Sequence, residues 1–177
     1  MNKITAASTA LMLGVVTAVA LSGASAQATT RPAAAAVGSL SHERTQVLRF
    51  IDRVDSSSNT DIDLGVAGPS AGDQQVFRDG LFQNGRRIGT SVGVAQLVSL
   101  TPTSLAAQVV STATLPAGQL MTQMAFTEIL AEGPPKVLRS AITGGTGTYR
   151  NARGECKSEF IVDTDDAAVT CTVILAD

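Results

Sequence analysis

From residue 44 onward the chain is built of β-formers with no helical stripe. Val, Thr, Ile, Leu and Phe recur in runs of seven to fifteen residues, broken by Gly, Pro, Asn and Asp. No segment places apolar residues at the 3.6-residue spacing of an amphipathic helix. Eight strands are predicted, near 45–54, 75–83, 86–100, 104–115, 119–130, 136–143, 149–162 and 167–176. Strands with one dry and one wet face bury the dry one in two ways. They pack as a sandwich, or they curl into a closed barrel with no exposed edge.

Two hairpins set a predicted register. Asn84-Gly85 tolerates positive φ at both central positions, as a type I′ turn requires. A two-residue loop there pairs Gln83 with Arg86, Leu81 with Ile88, Asp79 with Thr90 and Phe77 with Val92. Phe77, Leu81, Ile88, Val92 and Val94 then share a face with Asp79 and Thr90. In the last hairpin, Val162-Asp163-Thr164-Asp165 supplies the turn. Cys156, Ser158 and Phe160 then share a face with Val169, Cys171 and Val173, while Glu155, Lys157 and Glu159 point away. Cys156 and Cys171 come to lie opposite each other. A cross-strand disulfide is the favoured reading; two reactive thiols in a pocket, or two buried free thiols, are the alternatives.

The compartment is set by the start of the chain. Residues 1–26 read as a secretion signal: Lys3, an apolar run around Leu11 to Leu21, and Ala24-Ser25-Ala26 as a small-x-small cleavage site. The run is too short and Ala-rich for a comfortable membrane span, so the mature protein is expected to be secreted, with no membrane attachment after cleavage. Residues 27–43 form an Ala/Thr-rich lead-in, and 44–177 form the β domain. The 151 residues left of 177 suffice for one core. With Lys3 gone, 12 basic side chains face 15 acidic ones, a poor balance for binding nucleic acid or an anionic membrane. One His and two Cys are too few for a zinc site, so no metal is expected. The His, His42, lies in the lead-in.

The most distinctive stretch is Ala141-Ile142-Thr143-Gly144-Gly145-Thr146-Gly147-Thr148-Tyr149-Arg150-Asn151-Ala152-Arg153-Gly154. It lacks the Gly-Lys-Ser/Thr ending and the following helix of a phosphate loop. Its glycines suit a tight strand reversal. It resembles the Val/Ile-x-Gly-Gly-Ser/Thr-Gly-x-Phe/Tyr signature of the allene oxide cyclase and dirigent barrels, and Ala152-Arg153-Gly154 is similar to the dirigent continuation. Gly72-Asp73 through Phe77, Leu81-Phe82, Arg87-Ile88-Gly89 and Gly93 resemble the second and third strands of allene oxide cyclase. The resemblance spans roughly residues 45–176. It implies an all-β, eight-stranded antiparallel up-and-down barrel whose lumen shapes a reactive small molecule without metal or organic cofactor. A homotrimer is implied in the same way.

Within such a barrel Leu48, Phe50, Asp52 and Val54 would face the lumen, with Arg49 and Arg53 in water. Asp79 occupies a position similar to a polar lumen residue of the family. Two carboxylates in an apolar cavity cannot both ionise cheaply, so Asp52 and Asp79 are candidate acid and base. Arg150, with the parity of Cys156 and Ser158, is a candidate anion holder, and a bulge would substitute Arg153. Phe50, Phe77, Thr90, Met124, Phe126 and Phe160 are candidate ligand contacts. Each has a plainer alternative. Asp52 would sit at a rim, Asp79 would bond Thr90, the arginines would be solvated turn charges, and the Phe and Met side chains ordinary core. The expected function is a barrel that binds an apolar small molecule and steers its cyclisation, isomerisation or coupling. A non-catalytic small-molecule or lipid-binding barrel, and a barrel filled by its own side chains, are the alternatives.

Overall fold

The computed structural model describes residues 43–176. The signal at 1–26 and nearly all of the lead-in, with His42, lie outside the described residues. The strands are β1 (Glu43–Arg53), β2 (Thr60–Ile62), β3 (Gln74–Gln83), β4 (Arg86–Leu100), β5 (Ser104–Leu115), β6 (Gly118–Ile129), β7 (Val137–Gly145), β8 (Arg153–Phe160) and β9 (Ala167–Ala176). All pair antiparallel, each with its neighbour from β3 to β9. β1 lies between β9 and β3 and closes the sheet into an eight-stranded barrel. The short β2, outside the eight predicted strands, pairs only with the outer end of β3.

Both central residues of the Asn84-Gly85 turn have positive φ, 51° and 75°, as a type I′ turn demands. The expected pairing holds for Gln83 with Arg86 and then fails. A bulge between Leu81 and Phe82 pairs Leu81 with Gly89, Asp79 with Ser91 and Phe77 with Gly93. One extra residue on β4 exchanges its two faces. Ser91, Ala95 and Leu97 therefore point inward and are buried, while Val92 is exposed. Two glycines let the strands close up. A Cβ on Gly93 would sit 2.5 Å from the Phe77 ring, and one on Gly89 only 2.1 Å from the Thr114 carbonyl oxygen.

Chain direction puts the 84–85, 116–117 and 146–152 turns at one end of the barrel. That end is plugged by Leu81, Leu115, Leu120, Ile142, Tyr149 and Val173. The glycine-rich motif builds this plug. After Thr146 a 3-10 turn (Gly147–Tyr149) drives the Tyr149 ring into the core, 4% exposed. Asn151 follows at φ 58°. Gly154, at φ 128°, crosses β9 so closely that a Cβ would lie 2.1 Å from the Thr172 carbonyl oxygen.

The last hairpin has the expected register, with Cys156 opposite Cys171 and Ser158 opposite Val169. The two sulfurs are bonded. The bridge closes a loop with a sequence separation of 15, which by loop-closure entropy stabilises the fold by about 3 kcal/mol. Reduction, or Cys156→Ser with Cys171→Ser, is expected to lower the melting temperature by about 10 °C. Thermal unfolding with and without reductant checks this, and an unchanged midpoint would remove the stabilising role. Among the described residues no helix is long and apolar enough to cross a membrane.

Candidate functional site

The barrel is not filled. A cavity of about 120 Å³ lies between the plug and a smaller apolar cluster of Leu97, Leu105 and Ala107. Its apolar wall is Phe50, Phe77, Leu81, Val109, Met124 and Val169, with the disulfide on the floor of β8 and β9. Five hydroxyls also line it, one from each of β4 to β8: Ser91, Ser111, Thr122, Ser140 and Ser158. Among the described residues no Lys, Arg or His lines it. Asp52 is the one ionisable side chain among the described residues that does.

Asp52 sits near the end of β1, paired with Leu81 on β3 and Ala167 on β9. Its Oδ1 is shut off from solvent and has no hydrogen-bond partner among the described residues. Burial, then the negative charges of Asp79 and Asp166, push its carboxyl up to about 7. Desolvation and like charge act in the same direction here, since both penalise the anion. The carboxyl is therefore poised to hold or release a proton near neutral pH.

Asp79 is buried at 7% exposure but does not line the cavity. Its Oδ1 accepts the Asp55 N–H at 3.1 Å. Burial raises its pKa, partly offset by that hydrogen bond. The expected partnership with Thr90 is absent because the bulge moved Ser91 opposite Asp79. Asp166, which sequence reasoning missed inside an Asp-rich turn, accepts the Val54 N–H at 3.3 Å and pairs with Arg53 Nε at 3.2 Å. Two consecutive amides beyond β1 are thus held by two carboxylates, and both charges bear on Asp52. Arg53 points outward over the Phe82 ring, 4.5 Å from its centroid. Asp73 anchors the long loop before β3, accepting the Leu64 and Ser70 amides at 3.0 and 2.7 Å. These bonds lower its pKa.

Other expected contacts are placed elsewhere. Arg150 is exposed in the turn after Tyr149, because the 3-10 turn interrupts the strand whose parity would have carried it inward. Arg153 is exposed and pairs with Glu43. Thr90 is turned away from the cavity by the bulge and accepts a bond from Arg87. Phe160 is 43% exposed at the strand end, and Phe126 packs on the smaller cluster. Phe50, Phe77 and Met124 do line the cavity. Among the described residues no group of three or more His, Cys, Asp or Glu could hold a metal ion.

The chain resembles solved barrels of differing chemistry. A structure described as a pyocyanin demethylase is 26% identical, with a TM-score of 0.62, covering 72% of this chain and 99% of that one. The pterocarpan synthase dirigent protein GePTS1 is 20% identical at TM-score 0.56, covering 82% and 97%. The Diels–Alderase AbmU from Streptomyces koyangensis is 18% identical at TM-score 0.59, covering 75% of this chain and 64% of that one. The last two likenesses show the fold alone. No curated protein matches the chain's sequence. The model of the allene oxide cyclase barrel-like domain matches residues 53–174, from the end of β1 through nearly all of β9, and the protein belongs to that family.

Proposed function

We propose that the barrel binds a small, largely apolar molecule in its lumen and steers a cofactor-free cyclisation, isomerisation or coupling. The observation that carries this is Asp52, an unpaired carboxyl facing a cavity whose bulk is apolar. Its protonated form would donate to a developing oxyanion and its ionised form would accept the returning proton. Confinement of the substrate in one conformer supplies the rest of the rate. Asp79 and Asp166 are positioning residues: each holds a backbone amide and keeps the Asp52 proton in place by charge. The names of the structural neighbours, a demethylase of pyocyanin, a pterocarpan synthase dirigent protein and a Diels–Alderase, are in keeping with small-molecule chemistry in this fold. Export is part of the proposal; the disulfide is compatible with it.

Size limits the substrate. An apolar cavity of about 150 Å³ holds one benzene ring. The 120 Å³ here therefore takes a single ring or its equivalent, and a larger molecule would extend through the end of the barrel nearer Asp52. Native mass spectrometry of protein exported by its own host is expected to show a small organic molecule bound one to one. A ligand-free protein that also fails to convert any host metabolite in an extract would sink the proposal.

Self-association as a trimer belongs to the same reading. The outward residues in the middle of β4 to β6, among them Val92, Val110, Thr112, Met121 and Gln123, carry no charge. Val92, Val110 and Met121 are each more than 40% exposed. The wall of β7, β8 and β1 carries Arg139, Glu155, Lys157, Glu159 and Arg49 instead. Charge is depleted where protein surfaces meet. Sedimentation is expected to give three copies for the native chain and one for Val110→Glu; a monomeric native chain would contradict this.

A further inference from the structure

We propose that the ligand is a neutral ring compound bearing oxygen on one edge, and that the hydroxyls lining β4 to β8 select it. This deepens the function proposed above and rests on the lumen being a ligand site. The five hydroxyls are not scattered. Ser111 stands directly opposite Thr122. Ser91 pairs with Ala113, so it lies diagonal to Ser111, and Ser140 pairs with Cys156, diagonal to Ser158. Diagonal neighbours on one sheet face lie within reach of a shared small molecule. The hydroxyls therefore form a belt on five consecutive strands, facing Phe50, Phe77 and Val169 on β1, β3 and β9.

The belt is only partly spent on the protein itself. Ser111 and Thr122 bond each other at 2.8 Å. Ser91, Ser140 and Ser158 make no side-chain hydrogen bond among the described residues, and none of their hydroxyls is a sealed-in unpaired atom. They open onto the cavity. Serine in the middle of a barrel wall, where Val or Leu would fill the space, leaves both volume and hydrogen-bonding capacity for a guest.

Charge narrows the class further. Among the described residues no cationic side chain lines the cavity, and the charges of Asp79 and Asp166 lie close behind Asp52 at one end of it. A carboxylate or phosphate would meet like charge and no counter-ion. A pure hydrocarbon would leave the three open hydroxyls unpaired as water is expelled. A hydroxyl or carbonyl on a flat ring answers both. Its oxygen takes the belt, and its ring face lies on the two phenylalanines.

Phenol and toluene are the probes, because they share a shape and differ by a hydroxyl for a methyl. In NMR titrations of the full-length exported protein, phenol is expected to bind about tenfold more tightly than toluene, the size of one good hydrogen bond in a dry site. In Ser140→Ala/Ser158→Ala that preference is expected to fall to about twofold or less, with phenol losing affinity and toluene keeping or gaining it. Val66→Ala, in the exposed loop before β3 and outside the cavity lining, is expected to leave the preference unchanged. Toluene binding the native protein as well as phenol, phenol failing to bind, or the double variant keeping the full preference would each overturn the proposal. The native comparison needs no variant to fold. Asp52 is intact in every protein tested, so a failure of the proton chemistry would leave this result untouched.

Discussion

Asp52→Asn is expected to lower turnover by about 10²- to 10⁴-fold, the usual contribution of a positioned general acid or base. Asparagine keeps the size and polarity of the side chain but carries no labile proton, so substrate should still enter. The loss should fall on kcat, with KM nearly unchanged. For the native protein the rate should bend near pH 7, where the carboxyl changes state, and the bend should be gone from whatever activity remains. Asp79→Asn should behave differently. It removes a charge that raises the Asp52 pKa, so the bend should move to lower pH while the rate at its optimum falls less. Steady-state kinetics across pH on both variants checks this. Equal, full activity in Asp52→Asn would end the catalytic assignment and leave a binding barrel.

The second large effect is on stability. An acid whose folded pKa stands near 7 against 3.8 for the ordinary side chain favours folding most at low pH. Below about 3.8 both states hold the proton and the contribution is fully present. Between that value and about 7 the unfolded chain releases the proton and the folded chain keeps it, so stability falls as pH rises. Above about 7 the folded protein must carry the buried anion. The full swing is of the order of 4 kcal/mol. Asp55 and Asp73 shift the other way, through hydrogen bonds that favour their anions, and lose their contribution as pH falls. The net curve of the native protein mixes these terms. The difference between native and Asp52→Asn isolates the one of interest. The variant should gain on the native protein by that same order between pH 4 and pH 8, in urea unfolding at each pH. A constant difference would mean that Asp52 is an ordinary, hydrated carboxylate.

Much of the barrel was legible in the chain because its punctuation is local. Asn84-Gly85 fixes a turn by its own φ preferences, and the Val162–Asp165 stretch does the same for the last hairpin, so the apposition of Cys156 and Cys171 followed from counting, and the structure bonds the pair. The glycine motif pointed to the family through residues that turn out to be architectural. Gly154 makes room for the neighbouring strand, and Tyr149 plugs the end. Asp52 lines the cavity, on the face that Leu48 and Phe50 share and away from Arg49 and Arg53, as its parity along the first strand implied.

The inner face of β4 and the fate of Arg150 were not legible, for two physical reasons. A bulge leaves no mark in composition, yet it turned Val92 outward and Ser91 inward. The usual guide, apolar side inward, also runs backward in the middle of this barrel. Ser91, Ser111 and Ala113 face the cavity, while Val92 and Val110 lie exposed on the outer wall. A lumen that holds a guest favours small residues where a packed core would favour large ones. Asp166 escaped notice because a turn full of Asp reads as solvent-facing, and only the barrel's closure brings it beside Val54 and Arg53.

One carboxyl inside this barrel exchanges its proton near neutral pH rather than near about 4. A carbon-detected NMR titration of the native protein, with the Asp52 signal assigned through Asp52→Asn, measures it directly. A midpoint near 7 is the expected result; a midpoint at or below about 4, the range of a hydrated aspartate, would contradict it.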